Sequence, residues 1–164
     1  MNIPDDLFAR QRDMDRGPAA ALLGHRLVSV DPDNGEVEVA FQAAANLFNP
    51  MGVMQGGLIM AMLEMALTDA AAILSRGGDF SGNQSGETAA PAVTLLDVHC
   101  HFLAAVGPGP LRCRARLRHG GRSTAFVEAE LFAPSGTPAS APTGTLAATA
   151  SAVADFAPPG AKVS

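Results

Sequence analysis

An α+β domain, with an antiparallel sheet of five to six strands wrapped around one long helix, is the fold class that the sequence predicts. Three observations predict it. The run from Gly57 to Ser75 is apolar on nearly every side, and a helix without a polar face must be enclosed. Segments with alternating apolar residues flank it and supply the strands that a curved sheet needs. The length, 164 residues at 16.7 kDa, fits one domain and leaves no room for a second catalytic module.

Residues 1–24 read as an N-terminal helical extension. Ile3 to Arg16 is charged with scattered apolar positions, as on a surface helix, and Gly17-Pro18 separates it from a short helical turn through Leu23. The period then changes to two. His25–Val30 and Glu36–Phe41 alternate, and Asp31-Pro32-Asp33-Asn34-Gly35 between them is the turn of a β-hairpin. A loop from Gln42 to Gln55 leads into the long helix, and Gly56-Gly57 at its start allows close approach of a ligand to the backbone. After a Gly-, Ser- and Asn-rich loop, Gly77–Ala90, strands are expected at Ala92–Leu103, Leu111–His119 and Arg122–Phe132, the last two joined by Gly120-Gly121. Ala133–Thr143 is a Pro- and Ser-rich loop, Gly144–Phe156 a final strand, and residues 157–164 a frayed tail.

Composition removes several function classes. Eleven Lys plus Arg against sixteen Asp plus Glu leave a net charge of -5 without a basic run, and all eight aromatics are Phe. No run is there to follow a phosphate backbone, and stacking platforms of Tyr and Trp are nearly unavailable, so no nucleic acid partner is expected. Cys100 and Cys113 match neither a disulfide framework nor a zinc site and are expected as buried thiols. Asp5, Asp6, Arg10, Arg12, Asp13 and Asp15 interrupt any secretory apolar stretch, so a cytoplasmic location is expected. The long helix would span roughly 28 Å. It carries Glu64 and Asp69, and each acid near a bilayer centre costs about 2.5–3.5 kcal/mol. A helix in a protein core is the expectation, with no membrane.

On a helical wheel, Gly57, Met60, Ala61, Glu64, Thr68 and Ala71 share one face, with Asp69 well away from Glu64. Glu64 thus sits mid-helix in an apolar row. It is either an edge residue reaching solvent or an interface Arg, or a carboxylate held in a cleft as nucleophile or general base. The helix start two turns upstream favours the second reading. Its free N–H groups near Gly56 and Gly57, with the positive end of the helix dipole, can polarise a carbonyl and stabilise an oxyanion. A carboxylate and a carbonyl-polarising amide are the two parts that acyl transfer needs.

The stretch Asn49-Pro50-Met51-Gly52-Val53-Met54-Gln55-Gly56-Gly57, with Leu63-Glu64 and Ala66, resembles the hotdog-fold acyl-CoA thioesterases of the phenylacetate-degradation type. Their pattern is an Asn, a Gly three on, then His-Gly-Gly and an acid nine residues after the His; the spacing here matches without a gap. Asp97–Leu103 is similar to the family's strand after the helix, and Gly121-Arg122-Ser123 to its later hairpin. The resemblance implies acyl-CoA thioester hydrolysis by homodimers or dimers of dimers, with sheets joined edge to edge and active sites at the subunit interface; the apolar helix face of Met60, Ala61 and Ala71 would suit a medium-chain or aryl acyl group. In it, Asn49 orients the thioester or water, the Gly56 amide polarises the carbonyl, and Glu64 is the nucleophile or base. Thr68 matches a hydroxyl that holds the attacking water in some members; the alternative is a bond back to a helix carbonyl. Gly57, Arg122 and Ser123 fall to the CoA part of the substrate, and no separate cofactor is implied. Gln55 stands where the family has His, so altered or lowered activity is expected. The polar residue that some members place on the next strand is Thr94 or, by register from Phe102, the site held by Leu95.

His99 and His101 share a strand face without a third ligand in any recognisable motif, so no metal is expected. Arg112, Arg114, Arg116 and Arg118 alternate as one basic strand face, either solvated or set to meet CoA phosphates. Acyl-carrier dehydratases also carry a Glu on the central helix but need a His in the preceding loop, and none lies between Asn49 and Gly56. The remaining alternative is an acyl-CoA binding module of the same fold without turnover. Met60, Ala61 and Ala71 are the expected acyl-facing side chains.

Overall fold

The structure, a computed structural model, describes residues 5–74, 93–121, 123–134 and 144–156. The expected loop at 77–90, the tail at 157–164, most of the 133–143 loop and Arg122 lie outside these. In chain order the elements are α1 (Asp5–Asp13), α2 (Gly17–Leu23), β1 (Arg26–Asp31), β2 (Glu36–Ala43), a 3-10 turn (Ala45–Leu47), α3 (Gly56–Leu74), β3 (Val93–Phe102), β4 (Gly109–Gly120), β5 (Thr124–Ala133) and β6 (Thr145–Phe156). The strands form one antiparallel sheet in the order β1-β2-β4-β5-β6-β3. The expected α+β architecture is therefore present, and the sheet has six strands.

β3 follows the helix directly yet pairs with β6, Val93 opposite Phe156 and Phe102 opposite Ala148. Its other edge is unpaired within the described chain, and a register shift between Leu95 and Asp97 leaves Leu96 exposed. At the opposite edge β1 and β2 are closed by Asp31, whose carboxylate accepts from the backbone N–H groups of Asp33 and Asn34 and from the Asn34 amide. These bonds, the Asn34 side chain foremost, hold the Asp31 carboxyl below its usual range.

α3 packs on five strands, β2 to β6. Met62, Leu63, Ala66, Leu67, Ala70 and Ala71 are fully enclosed. At about 1.5–3 kcal/mol per large buried side chain, this face dominates the helix's stability. The strands accept so bulky a helix because many of their inward residues are small: Ala115, Ala125, Ala129, Ala147, Ala152 and Ala154 are all buried. By length and composition α3 is able to cross a membrane, but ten of its nineteen residues are buried inside the protein. Ala71 belongs to this core and is not available to an acyl group, which corrects the expected acyl-facing set.

The Arg face of β4 is paired. Arg112 meets Glu38, Arg114 and Arg116 meet Glu36 at 3.1 and 2.8 Å, and Arg118 meets Glu128 at 3.2 Å. Register explains it, since Glu38 and Glu130 flank Arg114, and Glu36 and Glu128 flank Arg116. The pairs range from half-buried, at Glu36, to exposed, at Arg118 and Glu128, and surface pairs contribute about 0.2–1 kcal/mol each. They also engage the guanidinium groups that a CoA phosphate would require.

Candidate active site

The site begins in the loop before α3. Phe48 and Met54 pair across a tight turn in which Gly52 has φ 75° and donates its N–H to the Asn49 carbonyl at 2.9 Å. Pro50 and Gly52 occupy the positions that such a turn prefers. Asn49 Oδ1 accepts from the Met51 and Val53 N–H groups at 2.9 and 3.3 Å. Its side-chain oxygen is thus committed to the loop, while the Nδ2 group, which no described residue engages, can donate to a ligand.

The loop delivers Gln55 as the residue preceding the helix. Its carbonyl accepts from Leu58 and Ile59, its N–H donates to the Leu47 carbonyl at 3.2 Å, and its side chain is exposed. Gly56 and Gly57 open α3, and N–H groups in the first turn have no intrahelical acceptor. A Cβ on Gly56 would touch the Phe102 ring at 3.4 Å, whereas one on Gly57 would meet no described residue. Neither glycine has positive φ, so among the described residues Gly57 is required by neither packing nor backbone conformation. A cleft of about 380 Å³ lies beside Gly56, walled by Met54, Ile59, Phe102 and Val106.

Glu64 lies eight residues further on, about 12 Å along the axis. Glu64 is exposed despite its place in the apolar row, and Thr68 Oγ1 donates to its Oε1 at 3.2 Å. The i, i+4 spacing puts the hydroxyl on the carboxylate, so Thr68 does not spend its proton on a helix carbonyl in this arrangement. Both residues line a second cavity, of about 300 Å³, under the N-terminal segment. Within one chain, then, Asn49 and Gly56 lie at one end of the helix, and Glu64 with Thr68 face a different hollow.

The sequence reading missed a buried ionic cluster bordering that second cavity. Asp69 accepts from Arg16 Nε at 3.1 Å and from His25 Nε2 at 2.8 Å. Arg16 also donates to the Gln11 carbonyl at 2.6 Å. His25 is brought there by the end of α2, where Gly24 (φ 64°) caps the helix and the His25 N–H bonds to the Ala20 carbonyl at 2.9 Å. A Cβ on Gly24 would lie 2.8 Å from that of Gln42. The imidazole and the Phe41 ring form a T-shaped pair, with centroids 5.4 Å apart. Asp69 had been placed away from Glu64, yet the cavity spans enough of the helix circumference for both to border it. The clues were an acid inside an apolar helix and a His directly after a capping Gly, separated by 44 residues. Removing Asp69 strands a buried cation beside a buried imidazole. Asp69→Ala is therefore expected to lower unfolding free energy by about 3–5 kcal/mol, read from urea midpoints at pH 7; a loss under about 1 kcal/mol would refute that role.

Ser123 sits in the β4–β5 connection, where the Gly121 N–H donates to the Thr124 carbonyl at 2.7 Å, and it borders neither cavity. Thr94 and Leu95 border neither as well. His99 is exposed on β3 beside Asp97 at 3.1 Å. Cys113 is enclosed, and burial pushes its thiol far up, which disqualifies it as a nucleophile.

A family model described as the thioesterase superfamily matches residues 51–140, more than half of the chain. No curated protein matches it significantly by sequence. Among solved structures, a phenylacetic acid degradation-related protein of Ralstonia eutropha JMP134 is 28% identical with TM-score 0.68, the match covering 91% of this chain and 98% of that one. A conserved protein of Pseudomonas aeruginosa is 27% identical with TM-score 0.66, over 90% and 98%. The E. coli PaaI protein of the phenylacetic acid degradation operon shares the fold, with 17% identity and TM-score 0.72 over 96% and 98%. The chain belongs to the thioesterase superfamily: it is a PaaI-like thioester hydrolase with the hotdog fold.

Proposed function

We propose that the protein hydrolyses a medium-chain or aryl acyl-CoA in the cytoplasm, at sites built from two chains of a homodimer or dimer of dimers. The observation that carries this reading is the separation just described. Asn49 and Gly56 can bind and polarise a carbonyl, Glu64 and Thr68 can hold a water, and about 12 Å of helix divides them within one chain. A general base has to work within about 3 Å of its proton or through one water. An antiparallel partner helix supplies the missing half.

In the reaction, the thioester carbonyl takes a hydrogen bond from the Gly56 N–H, reinforced by the helix dipole. Asn49 Nδ2 donates to the same oxygen or to the water. Glu64 removes a proton from the water as its oxygen bonds to the carbonyl carbon, with Thr68 fixing the carboxylate. The C–S bond then breaks, and the sulfur leaves with the proton returned by Glu64. Gly57, without a side chain, leaves room for the pantetheine arm. The two free thiols suit a reducing compartment. Release of CoA thiol from a panel of acyl-CoAs tests the reading, and no release above the uncatalysed rate from any member would overturn it.

Gln55 adjoins this machinery and is exposed. Replacing it by His introduces a group titrating near pH 6.5. Gln55→His is expected to change turnover or bend its pH profile between about pH 6 and 7. Superimposable profiles would show that the position plays no part.

A further inference from the structure

The cavity under the N-terminal segment continues past Glu64 and Thr68. It follows α3 through Asp69 to Ala72 and is bounded on the other side by Arg16, Ala20 and His25. Glu64 to Ala72 is about 12 Å of helix. The volume is about 300 Å³, room for roughly ten non-hydrogen atoms at about 30 Å³ each. Apart from the residues at the Glu64 end, the walls combine apolar side chains, among them Met65, Ala20 and Ala72, with the Arg16–Asp69–His25 cluster.

That cluster satisfies itself. Arg16 and His25 each occupy one oxygen of Asp69, so the Arg and Asp charges cancel. A charged guest would have to break these bonds or enter low-dielectric surroundings without a partner. An uncharged guest meets neither obstacle. The cluster also fixes the roof, because Arg16 lies between α1 and α2, His25 leads into β1, and Asp69 projects from the helix that carries Glu64.

We propose that this cavity receives the uncharged acyl portion of the thioester, up to about ten non-hydrogen atoms, with Ala20 and Ala72 setting its length limit and Asp69 positioning the roof. The assignment rests on Glu64 acting in a thioester hydrolase. The acyl group enters beside Glu64 and extends along α3 toward Ala72. Asp69 touches no reacting atom; it keeps α1 and α2 at the distance the acyl group needs.

Ala72→Phe fills the cavity from the helix side and Ala20→Leu from the roof. In wild type, octanoyl-CoA is expected to be cleaved with higher kcat/KM than acetyl-CoA, and adipoyl-CoA at least tenfold less efficiently than hexanoyl-CoA. Either variant is expected to lower kcat/KM for octanoyl-CoA at least tenfold while acetyl-CoA changes less than about twofold. Binding of S-octyl-CoA, which has no thioester to hydrolyse, is expected to weaken at least tenfold in the same variants. Active enzyme whose two variants leave the octanoyl-to-acetyl ratio unchanged would overturn the cavity assignment and leave the hydrolase reading standing. Equal cleavage of adipoyl- and hexanoyl-CoA would overturn it too. A chain that releases no CoA but binds S-octyl-CoA in an Ala72-dependent way would remove the hydrolase reading and keep the pocket. Should Ala72→Phe fail to fold, Ala20→Leu alone decides.

Discussion

Glu64→Ala is expected to abolish CoA release from acyl-CoA substrates, lowering turnover by about 10²–10⁴, while unfolding free energy changes by less than about 0.5 kcal/mol. Both halves follow from where the side chain lies. Glu64 is exposed, and its one hydrogen bond among the described residues comes from the neighbouring Thr68 hydroxyl at 3.2 Å, so little folding energy depends on it. The apolar face that holds the helix points the other way, through Met62, Leu63, Ala66 and Ala70. Chemistry has a different dependence, since water is a poor nucleophile and, with Asp69 and His25 engaged with each other, the Glu64 carboxylate is the acid or base that Asn49, Gly56, Glu64 and Thr68 together supply. Thiol release at saturating substrate, with urea unfolding as control, separates the two. A variant retaining more than about a tenth of wild-type turnover has lost under about 1.4 kcal/mol of barrier reduction, too little for the group that activates the water. Thr68→Val is the companion test: keeping Glu64 but freeing its carboxylate, it should lower activity less than Glu64→Ala does.

How much of this was readable in the sequence depends on the range of the interaction. The Asp31–Gly35 turn, the alternation in Glu36–Phe41 and the Gly120-Gly121 connection are local, and the β1–β2 and β4–β5 pairings follow them. The start of α3 at Gly56 rather than Gly57 is a one-residue difference of the kind that helix ends show. Pairing of β3 with β6 was not readable, because two apolar strands that are distant in sequence carry no local signal for which neighbour they choose. The spacing of Asn49, Gly56 and Glu64 identified the candidate site, yet the side-chain environments came only from the fold. Periodicity placed Glu64 in an apolar row, while the N-terminal segment leaves a hollow over it instead of covering it. Asp69 was counted as an argument against a membrane; its partners Arg16 and His25 lie 53 and 44 residues away and are assembled only by the cap at Gly24. The Arg stripe shows the same limit, since its alternation was visible but the facing Glu36, Glu38 and Glu128 depended on register.

Chains carrying Asn49→Ala, refolded together with chains carrying Glu64→Ala, are expected to regain about a quarter of wild-type activity although each variant alone is close to inactive. The expectation follows from a two-fold dimer in which each site takes Asn49 and Gly56 from one chain and Glu64 and Thr68 from the other. Random pairing makes half of the dimers mixed. In a mixed dimer one site combines the intact Asn49 of one chain with the intact Glu64 of the other, and the second site has neither, so half of the sites in half of the dimers work. If each site were built within one chain, every site would lack one of the two groups and no activity would return. The separation of the two halves in this chain, eight helical residues or about 12 Å, is what makes the first outcome the expected one. Asn49→Ala must retain its loop for the test to be fair, because Asn49 Oδ1 accepts from Met51 and Val53; Asn49→Asp keeps those two acceptor bonds while removing the Nδ2 donor, and is the better partner should the Ala variant unfold. Mass spectrometry of native dimers, with one chain isotopically labelled, establishes that mixed dimers have formed. Mixed dimers at the expected abundance with activity no higher than that of the separate variants would end the shared-site model, because Glu64 and Gly56 of one chain stand at different turns of one continuous helix, Gly56–Leu74.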